Sequence, residues 1–251
     1  MTEPFGFIIV RHMSNETHSL YWKECVKCIQ GHYTNPYIVI IDDHSTYMDD
    51  AIEINMTNIT IITSEFPGAG EILGYYYGWK YRWFQTFVVL HDSMFLQGPF
   101  PELKDDLLFL WHFSGENLGT PNDYYCNGIF RLILLCDIEQ RRKLLDLYYN
   151  KAGWFGCFGL ASIITLDVID IFFSKYGLLE CIKNIKSRLN RIEMERVFAL
   201  IAYQEFADKI NKPSLLGDIN GDYPNSFHTT WEDYNNGRRE NILVNKVWSG
   251  R

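Results

Sequence analysis

The chain has 251 residues, of which 47% are hydrophobic and 22% are charged, as in an ordinary globular protein. Its formal net charge of −8 argues against a nucleic-acid partner, because such proteins carry an excess of lysine and arginine that neutralises phosphates. No apolar stretch approaches the roughly 18 residues of a membrane-spanning helix. The six cysteines have irregular spacings and the first residues lack the basic and apolar pattern of a signal peptide, so we expect a cytoplasmic protein with reduced thiols.

The first half of the chain alternates short apolar strands with helices. The pattern predicts strands at residues 5–10, 37–41, 59–63 and 87–90, and helices at residues 17–30 and 71–82. Continuous apolar strands separated by helices are typical of a parallel sheet that is covered on both faces. The sequence therefore predicts an α/β protein with a mostly parallel central sheet flanked by helices.

The second half of the chain is predicted to be richer in helix. Its segments are a strand at residues 107–113, helices at 139–149 and 160–173, a mainly helical region at 178–210, and a loop-like tail at 214–251. No internal repeat is visible in this half. We therefore expect a helical C-terminal part that ends in a loop-like tail.

Polar residues follow three of the predicted strands. These clusters are Arg11-His12 after the first strand, Asp42-Asp43 after the second, and His91-Asp92-Ser93 after the fourth. Because the carboxyl ends of parallel strands meet at one edge of a sheet, we expect the three clusters to converge there. The adjacent carboxylates at the second strand repel each other, which favours a specific task for both. The alternative for each cluster is an ordinary turn that ends a core strand.

Five segments, in their order along the chain, carry a resemblance to a known family. They are IVIIDDHS, PGAGEILG, FVVLHDSMF, WFGCFGLASII and RLNRIEMERVF. The order resembles a GT-A fold glycosyltransferase of the family 2 type over about residues 5–230. The resemblance implies one GT-A-like domain over residues 1–251, with a nucleotide-sugar-binding half at 1–100 and an acceptor-side half at 101–251.

The resemblance also implies roles for particular residues. A nucleotide-diphosphate sugar of the UDP, GDP or dTDP type would contact Arg11, His12, Asp42, Asp43, Gly68, Gly70 and Ser93. Mn²⁺ or Mg²⁺ would be held by Asp92, His91 and His228. The base would be Glu195 or, second, Glu193, and a carbohydrate acceptor would stack on Trp154 and Phe155. The implied reaction is an inverting, metal-dependent sugar transfer.

The candidate bases lie on a predicted helix with two distinct sides. At 100° per residue, Arg188, Arg191 and Glu195 fall on one side, whereas Glu193 and Arg196 fall on the apolar side. A buried pair of Glu193 and Arg196 can be structural or can face an active site. The sequence leaves both alternatives open.

The sequence departs from the family pattern at the metal site. Asp92 stands alone where these enzymes carry Asp-x-Asp, so a metal-independent enzyme and a catalytically silent nucleotide-sugar-binding or carbohydrate-binding protein stay open as alternatives. A nucleotidyltransferase is disfavoured, because Arg11-His12-Met13 is not the glycine-rich phosphate loop that such a protein needs after its first strand.

Overall fold

The computed structural model describes residues 3–48, 54–102, 105–118, 126–221, 229–237 and 242–249. Its strands are β1 (Glu3–Arg11), β2 (Ile38–Asp42), β3 (Ile59–Thr63), β4 (Phe84–His91), β5 (Met94–Leu96), β6 (Leu107–Phe109), β7 (His112–Phe113), β8 (Gly156–Cys157), β9 (Ser162–Thr165) and β10 (Val244–Lys246). Its helices are α1 (Glu16–His32), α2 (Ile72–Tyr81), α3 (Cys126–Ile133), α4 (Ile138–Tyr149), α5 (Leu166–Tyr176), α6 (Leu178–Lys183), α7 (Arg188–Phe206) and α8 (Trp231–Asn235). None of the helices in these ranges is long and apolar enough to cross a membrane.

A six-stranded sheet forms the centre of the molecule, in the order β3-β2-β1-β4-β9-β6. Strands β1 to β4 are parallel to one another, and β9 runs antiparallel between β4 and β6. All five residues of β2 are buried, whereas β3 forms one edge and is partly exposed. The predicted α/β class with a mostly parallel sheet flanked by helices is confirmed. The division into a nucleotide-sugar half and an acceptor half stays a prediction.

The prediction of a helix over residues 160–173 is wrong at its start, because Ser162–Thr165 forms strand β9. Three consecutive β-branched residues, Ile163, Ile164 and Thr165, favour an extended backbone. Strands β4 and β6 also offer pairing on both sides, with Ile163 opposite Val88 and Leu108. A short apolar run fits a buried strand and a buried helix equally well until its partners are known.

Two further predictions need correction. Residues 107–113 form two short strands, of which β6 joins the central sheet and β7 pairs with β8. The tail contains helix α8 and strand β10, which pairs antiparallel with β5. A strand of three residues shows no readable periodicity, and its partner lies about 150 positions earlier in the chain, so the sequence alone does not reveal it.

The position of β9 in the sheet can be tested with a matched pair of isoleucines. Ile163 has no exposed surface, whereas Ile61 on the edge strand is 37% exposed. Ile163→Ala should lower the free energy of unfolding by about 2–5 kcal/mol through lost burial and a cavity. Ile61→Ala should cost about 1 kcal/mol or less. Urea unfolding measures both, and equal losses would contradict a central position for β9.

Candidate functional site

A cavity of about 700 Å³ lies at the carboxyl end of the sheet. The chain runs outward from β1 through β2 to β3 and then returns to β4 on the other side of β1, so the strand order reverses between β1 and β4. Open α/β sheets bind ligands at such a reversal. Arg11 and His12 at the end of β1, and His91 and Asp92 at the end of β4, line the cavity there.

Asp42 anchors Arg11 at the wall of the cavity. The Arg11 Nε–H donates to Asp42 Oδ2 at 2.7 Å, and the backbone N–H and hydroxyl of Ser45 each donate to Asp42 at 2.8 Å. Burial alone would raise the pKa of Asp42, but the hydrogen bonds from Ser45 and Arg11 outweigh it and lower the pKa below its usual value. Arg11 lines the cavity and Asp42 lies behind it, so Asp42 is a charged anchor.

Asp43 holds the glycine turn that follows β3. Its carboxylate accepts hydrogen bonds from the backbone N–H groups of Gly68 at 2.7 Å and Gly70 at 2.9 Å. Its backbone carbonyl accepts from His12 Nδ1 at 2.7 Å. Burial raises the pKa of Asp43 despite the two N–H donors. Asp43, His12 and Gly70 all line the cavity, whereas Gly68 stands back from it.

Gly70 provides the space that Arg191 occupies. Its φ is +67°, and a Cβ at this position would lie 2.3 Å from Arg191 Cδ. Arg191 belongs to α7 and lines the cavity together with Arg188 and Glu195. These three residues are the ones that helical periodicity places on one side of the helix.

The C-terminal strand brings a lysine to the end of β4. The Lys246 Nζ–H donates to Ser93 Oγ at 2.5 Å, and the Val247 backbone N–H donates to the Ser93 carbonyl at 2.9 Å. Ser93 itself is buried, whereas Lys246 and Trp248 line the cavity. Neither residue is predicted from the sequence. Their only signal is that buried Val247 alternates with the two lining side chains, as in a strand.

Asp92 lies at the point where β1 and β4 meet. Asp92 is 1% exposed, and its Oδ2 accepts a hydrogen bond from the His12 backbone N–H at 3.4 Å. The Asp92 backbone N–H in turn donates to the Val10 carbonyl at 3.1 Å. The carboxylate is therefore fixed between the two strand ends and faces the cavity.

Glu195 on α7 is a carboxylate in the cavity lining whose pKa is strongly shifted. Its Oε1 accepts a hydrogen bond from the Gly159 backbone N–H at 2.9 Å, and its Oε2 lies 3.3 Å from Arg196 Nη1. Burial raises the pKa of Glu195 to about 7, although the Arg196 charge opposes this shift. A carboxylate with such a pKa exists in both protonation states at neutral pH, as a proton acceptor requires.

His91 contacts protein groups through both ring nitrogens. Its Nε2–H donates to the Gly159 carbonyl at 2.5 Å, because a carbonyl oxygen can only accept. Its Nδ1 lies 3.7 Å from Glu71 Oε1. Burial lowers the pKa of His91 to about 4, so the ring is neutral at neutral pH. A neutral ring that donates its Nε2–H keeps an unprotonated Nδ1, so the role of His91 as a metal ligand stays a prediction.

Besides Asp42, Gly68 and Ser93, three further predicted site residues do not line the cavity. Glu193 is 2% exposed, accepts a hydrogen bond from Asn190 Nδ2 at 2.9 Å, and packs against Gly128 of α3. Trp154 is buried in the core, and Phe155 packs edge-on against another aromatic ring. Glu193 thus lies on the buried, apolar side of α7, as helical periodicity predicts. The acceptor roles of Trp154 and Phe155 stay predictions that this placement does not support.

The predicted metal ligands do not form a complete site within the described part of the chain. Among those residues, no group of three or more His, Cys, Asp or Glu side chains is arranged to hold a metal ion. His228 lies outside the described residues. Asp92 supplies one carboxylate, which fits Mg²⁺ or Mn²⁺ where substrate phosphates and water supply the other ligands.

The cavity carries more positive than negative charge in a protein whose net charge is −8. The lining side chains include five cations (Arg11, Arg188, Arg191, Arg196 and Lys246) and four carboxylates (Asp43, Glu71, Asp92 and Glu195). A concave surface concentrates such a field and attracts ligands of opposite charge. The arrangement therefore suits an anionic ligand.

Comparison with known proteins finds similarity to solved structures only. No protein-family model matches the chain, and no curated protein gives a significant match. One similar structure is S. aureus TarS 1-349, with a TM-score of 0.41 and 13% identity over 78% of this chain and 56% of that chain. Another is the same S. aureus protein in complex with UDP, with a TM-score of 0.42 and 14% identity over 76% and 54%. The chain spans about half the length of these two chains.

The packing of Arg191 over the glycine turn predicts a difference between two glycine substitutions. Gly68 and Gly70 have φ values of +80° and +67°, so alanine costs about 1–2 kcal/mol of unfolding free energy at either position. Only at Gly70 would the new methyl group also collide with Arg191, because nothing lies within 4 Å of a Cβ at Gly68. Urea unfolding should therefore show a larger loss for Gly70→Ala. Arg191→Ala in that variant should reduce the loss, and equal losses in the single variants would contradict this packing.

The raised pKa of Glu195 predicts how stability depends on pH. Its pKa lies above the usual value, so the stability it contributes is present below about pH 4.5 and is lost as pH rises through about 7. The ceiling for this loss is about 3 kcal/mol. Glu195→Gln should remove this pH-dependent loss, so the unfolding free energy of the variant should increase relative to the wild type as pH rises. Urea unfolding at about pH 5 and about pH 8 measures this difference.

The neighbours of Glu195 define the control for that measurement. The charged and titratable groups that act on the carboxylate are Arg196, Glu71 and Arg191, and the buried Cys157 thiol faces it as well. Glu205→Gln is a suitable control, because the pKa of Glu205 is lowered by its bonds to Lys175 and not raised. A stability difference between Glu195→Gln and the wild type that does not change with pH would contradict the raised pKa.

Proposed function

We propose that the protein is a glycosyltransferase that transfers a sugar from a nucleoside-diphosphate sugar to a carbohydrate or glycoconjugate acceptor. The observation that carries this proposal is the pairing of two features in one cavity. Five cationic side chains line the cavity together with Asp92, and Glu195 lines the same cavity with a pKa of about 7. Sugar transfer from such a donor needs a place for the departing diphosphate and a base for the acceptor hydroxyl.

The donor would lie across the ends of β1 and β4. Arg11, His12 and Asp43 line the part of the cavity next to β1 and β2, where the nucleoside would bind. Lys246 and Arg191 supply positive charge for the two phosphates. Asp92 would hold Mg²⁺ or Mn²⁺ together with the donor phosphates, and the cation would take up negative charge on the departing diphosphate.

Glu195 would act as the base of an inverting transfer. It accepts the proton of the acceptor hydroxyl as that oxygen bonds to the anomeric carbon and the bond from this carbon to the diphosphate oxygen breaks. The neighbouring Arg196 stabilises the carboxylate before the proton arrives. Trp248 lines the cavity and is 54% exposed, so its ring offers an aromatic surface on which a sugar can stack. Trp154 and Phe155 do not line the cavity.

A second candidate is a silent nucleotide-sugar-binding protein on the same fold. It is favoured by one observation, namely that Asp92 stands alone and that the described residues hold no cluster of three metal-binding side chains. Such a protein would keep the cationic cavity and bind the donor without transferring its sugar. Turnover separates the two candidates.

The test is a screen of UDP-, GDP- and dTDP-sugars with Mn²⁺, read by thermal shift and by release of the nucleoside diphosphate. We expect one donor class to bind and to turn over. Asp92→Ala should weaken binding of the donor diphosphate and abolish turnover. Glu195→Gln should lower turnover by about 10²–10⁴-fold while the nucleotide still binds, because only the base is lost.

The same assay decides between the two candidate bases. Glu193→Gln changes a carboxylate that packs against α3, so it should leave most of the turnover intact. Loss of turnover in Glu193→Gln alone would reverse the assignment. Binding without turnover in the wild type would support the silent binding protein, and the absence of nucleotide binding would contradict both candidates.

A further inference from the structure

The turn at residues 158–160 has an unusual backbone beside the proposed base. Gly159 and Leu160 are consecutive residues with positive φ, at +59° and +50°. The left-handed region is unfavourable for leucine, and such residues persist only where surrounding groups hold them. Strain of this kind is concentrated at functional sites, so the groups that hold this turn are of interest.

Three side chains from three parts of the fold hold the turn. His91, at the end of β4, donates to the Gly159 carbonyl at 2.5 Å. The Tyr75 hydroxyl, on α2, donates to the Leu160 carbonyl. Glu195, on α7, accepts from the Gly159 N–H at 2.9 Å. Gly159 therefore connects the imidazole and the carboxylate through its own two peptide groups.

The His91 ring also packs directly against the turn. A Cβ at Gly159 would lie 2.6 Å from His91 Nε2 and 2.7 Å from Cε1. Glycine is thus required at this position both for its backbone conformation and for the close approach of the ring. The contact restricts the orientation of Gly159, and with it the direction of the N–H that Glu195 accepts.

We propose that His91 is a positioning residue that holds Gly159 so that its N–H orients Glu195 toward the cavity. This role rests on the proposed function, in which Glu195 is the base. It differs from the predicted role of His91 as a metal ligand, because the imidazole acts on the acceptor side through the turn. Asp92 follows His91 directly. At the end of β4, Asp92 would therefore act on the donor and His91 on the base.

The proposal predicts opposite results for two substitutions of His91. His91→Phe removes the donor to the Gly159 carbonyl, so Glu195 should lose its N–H partner and its pKa should rise above about 7. The turnover number should fall about 100-fold with little change in the KM of the donor, as for a misplaced catalytic group. His91→Gln places an N–H donor near the position of Nε2 and should restore most of both properties.

Two measurements keep the test independent of the proposed function. Titration of Glu195 by NMR of ¹³C-labelled glutamate reports its pKa without any turnover, and Glu195→Gln identifies the signal. Binding of UDP, GDP and dTDP by thermal shift reports the donor side. A wild type that binds nucleotide and never transfers sugar would overturn Glu195 as a base, while a shifted Glu195 titration in His91→Phe would still support the positioning.

A second variant covers the case in which His91→Phe fails to fold. Tyr75→Phe removes only the hydroxyl that holds the Leu160 carbonyl, so it should raise the pKa of Glu195 in the same direction. An unchanged Glu195 titration in each of these variants that folds would overturn the proposal. It would also be overturned if His91→Gln and His91→Phe lost nucleoside-diphosphate binding to the same extent, because that result identifies His91 as a ligand of the metal or the diphosphate.

Discussion

Strand β1 pairs in parallel with β2 on one side and β4 on the other, and this arrangement brings three carboxylates to one buried edge. Buried charge is costly unless it is paired or hydrogen-bonded, so each carboxylate needs a partner nearby. Asp42 uses Arg11, Asp43 uses the N–H groups of the glycine turn, and Asp92 uses the His12 N–H. The partners come from the end of β1 and from the glycine turn that follows β3, so the contacts that satisfy the carboxylates also fix the walls of the cavity.

The number and strength of these partners decide which carboxylate can react. Asp42 accepts bonds from a guanidinium and from two groups of Ser45, and these outweigh burial and lower its pKa. Asp43 accepts two backbone N–H bonds, yet burial still raises its pKa. Glu195 accepts one N–H bond and faces Arg196 at 3.3 Å, and burial raises its pKa to about 7. Hydrogen bonds to Asp42 thus keep it ionised, so that it holds Arg11 in place. At Glu195 the hydrogen bond and the Arg196 charge do not offset the cost of burial, so this carboxylate can take a proton at neutral pH.

Local sequence patterns predicted the parts of the site that depend on local structure. Apolar runs located the four parallel strands, and the polar residues after them lie at the edge where the strand order reverses. Helical periodicity separated Glu195 from Glu193 correctly, because α7 is a regular helix. The short strands β9 and β10 were missed, since their conformation depends on partners that are distant in sequence. Trp154 and Phe155 lie in a short glycine-rich segment whose pattern does not indicate which side faces a ligand.

Strand β10, which the sequence did not predict, contributes directly to the site. Lys246 reaches the cavity only because β10 pairs with β5 and the Val247 N–H bonds to Ser93. The segment is held further by the Trp248 N–H, which donates to the Thr229 carbonyl at 2.9 Å. A three-residue strand has few contacts of its own, so its docked position depends on these long-range bonds. The cavity therefore takes one of its five lining cations from a segment whose position is set by contacts with parts of the chain far away in sequence.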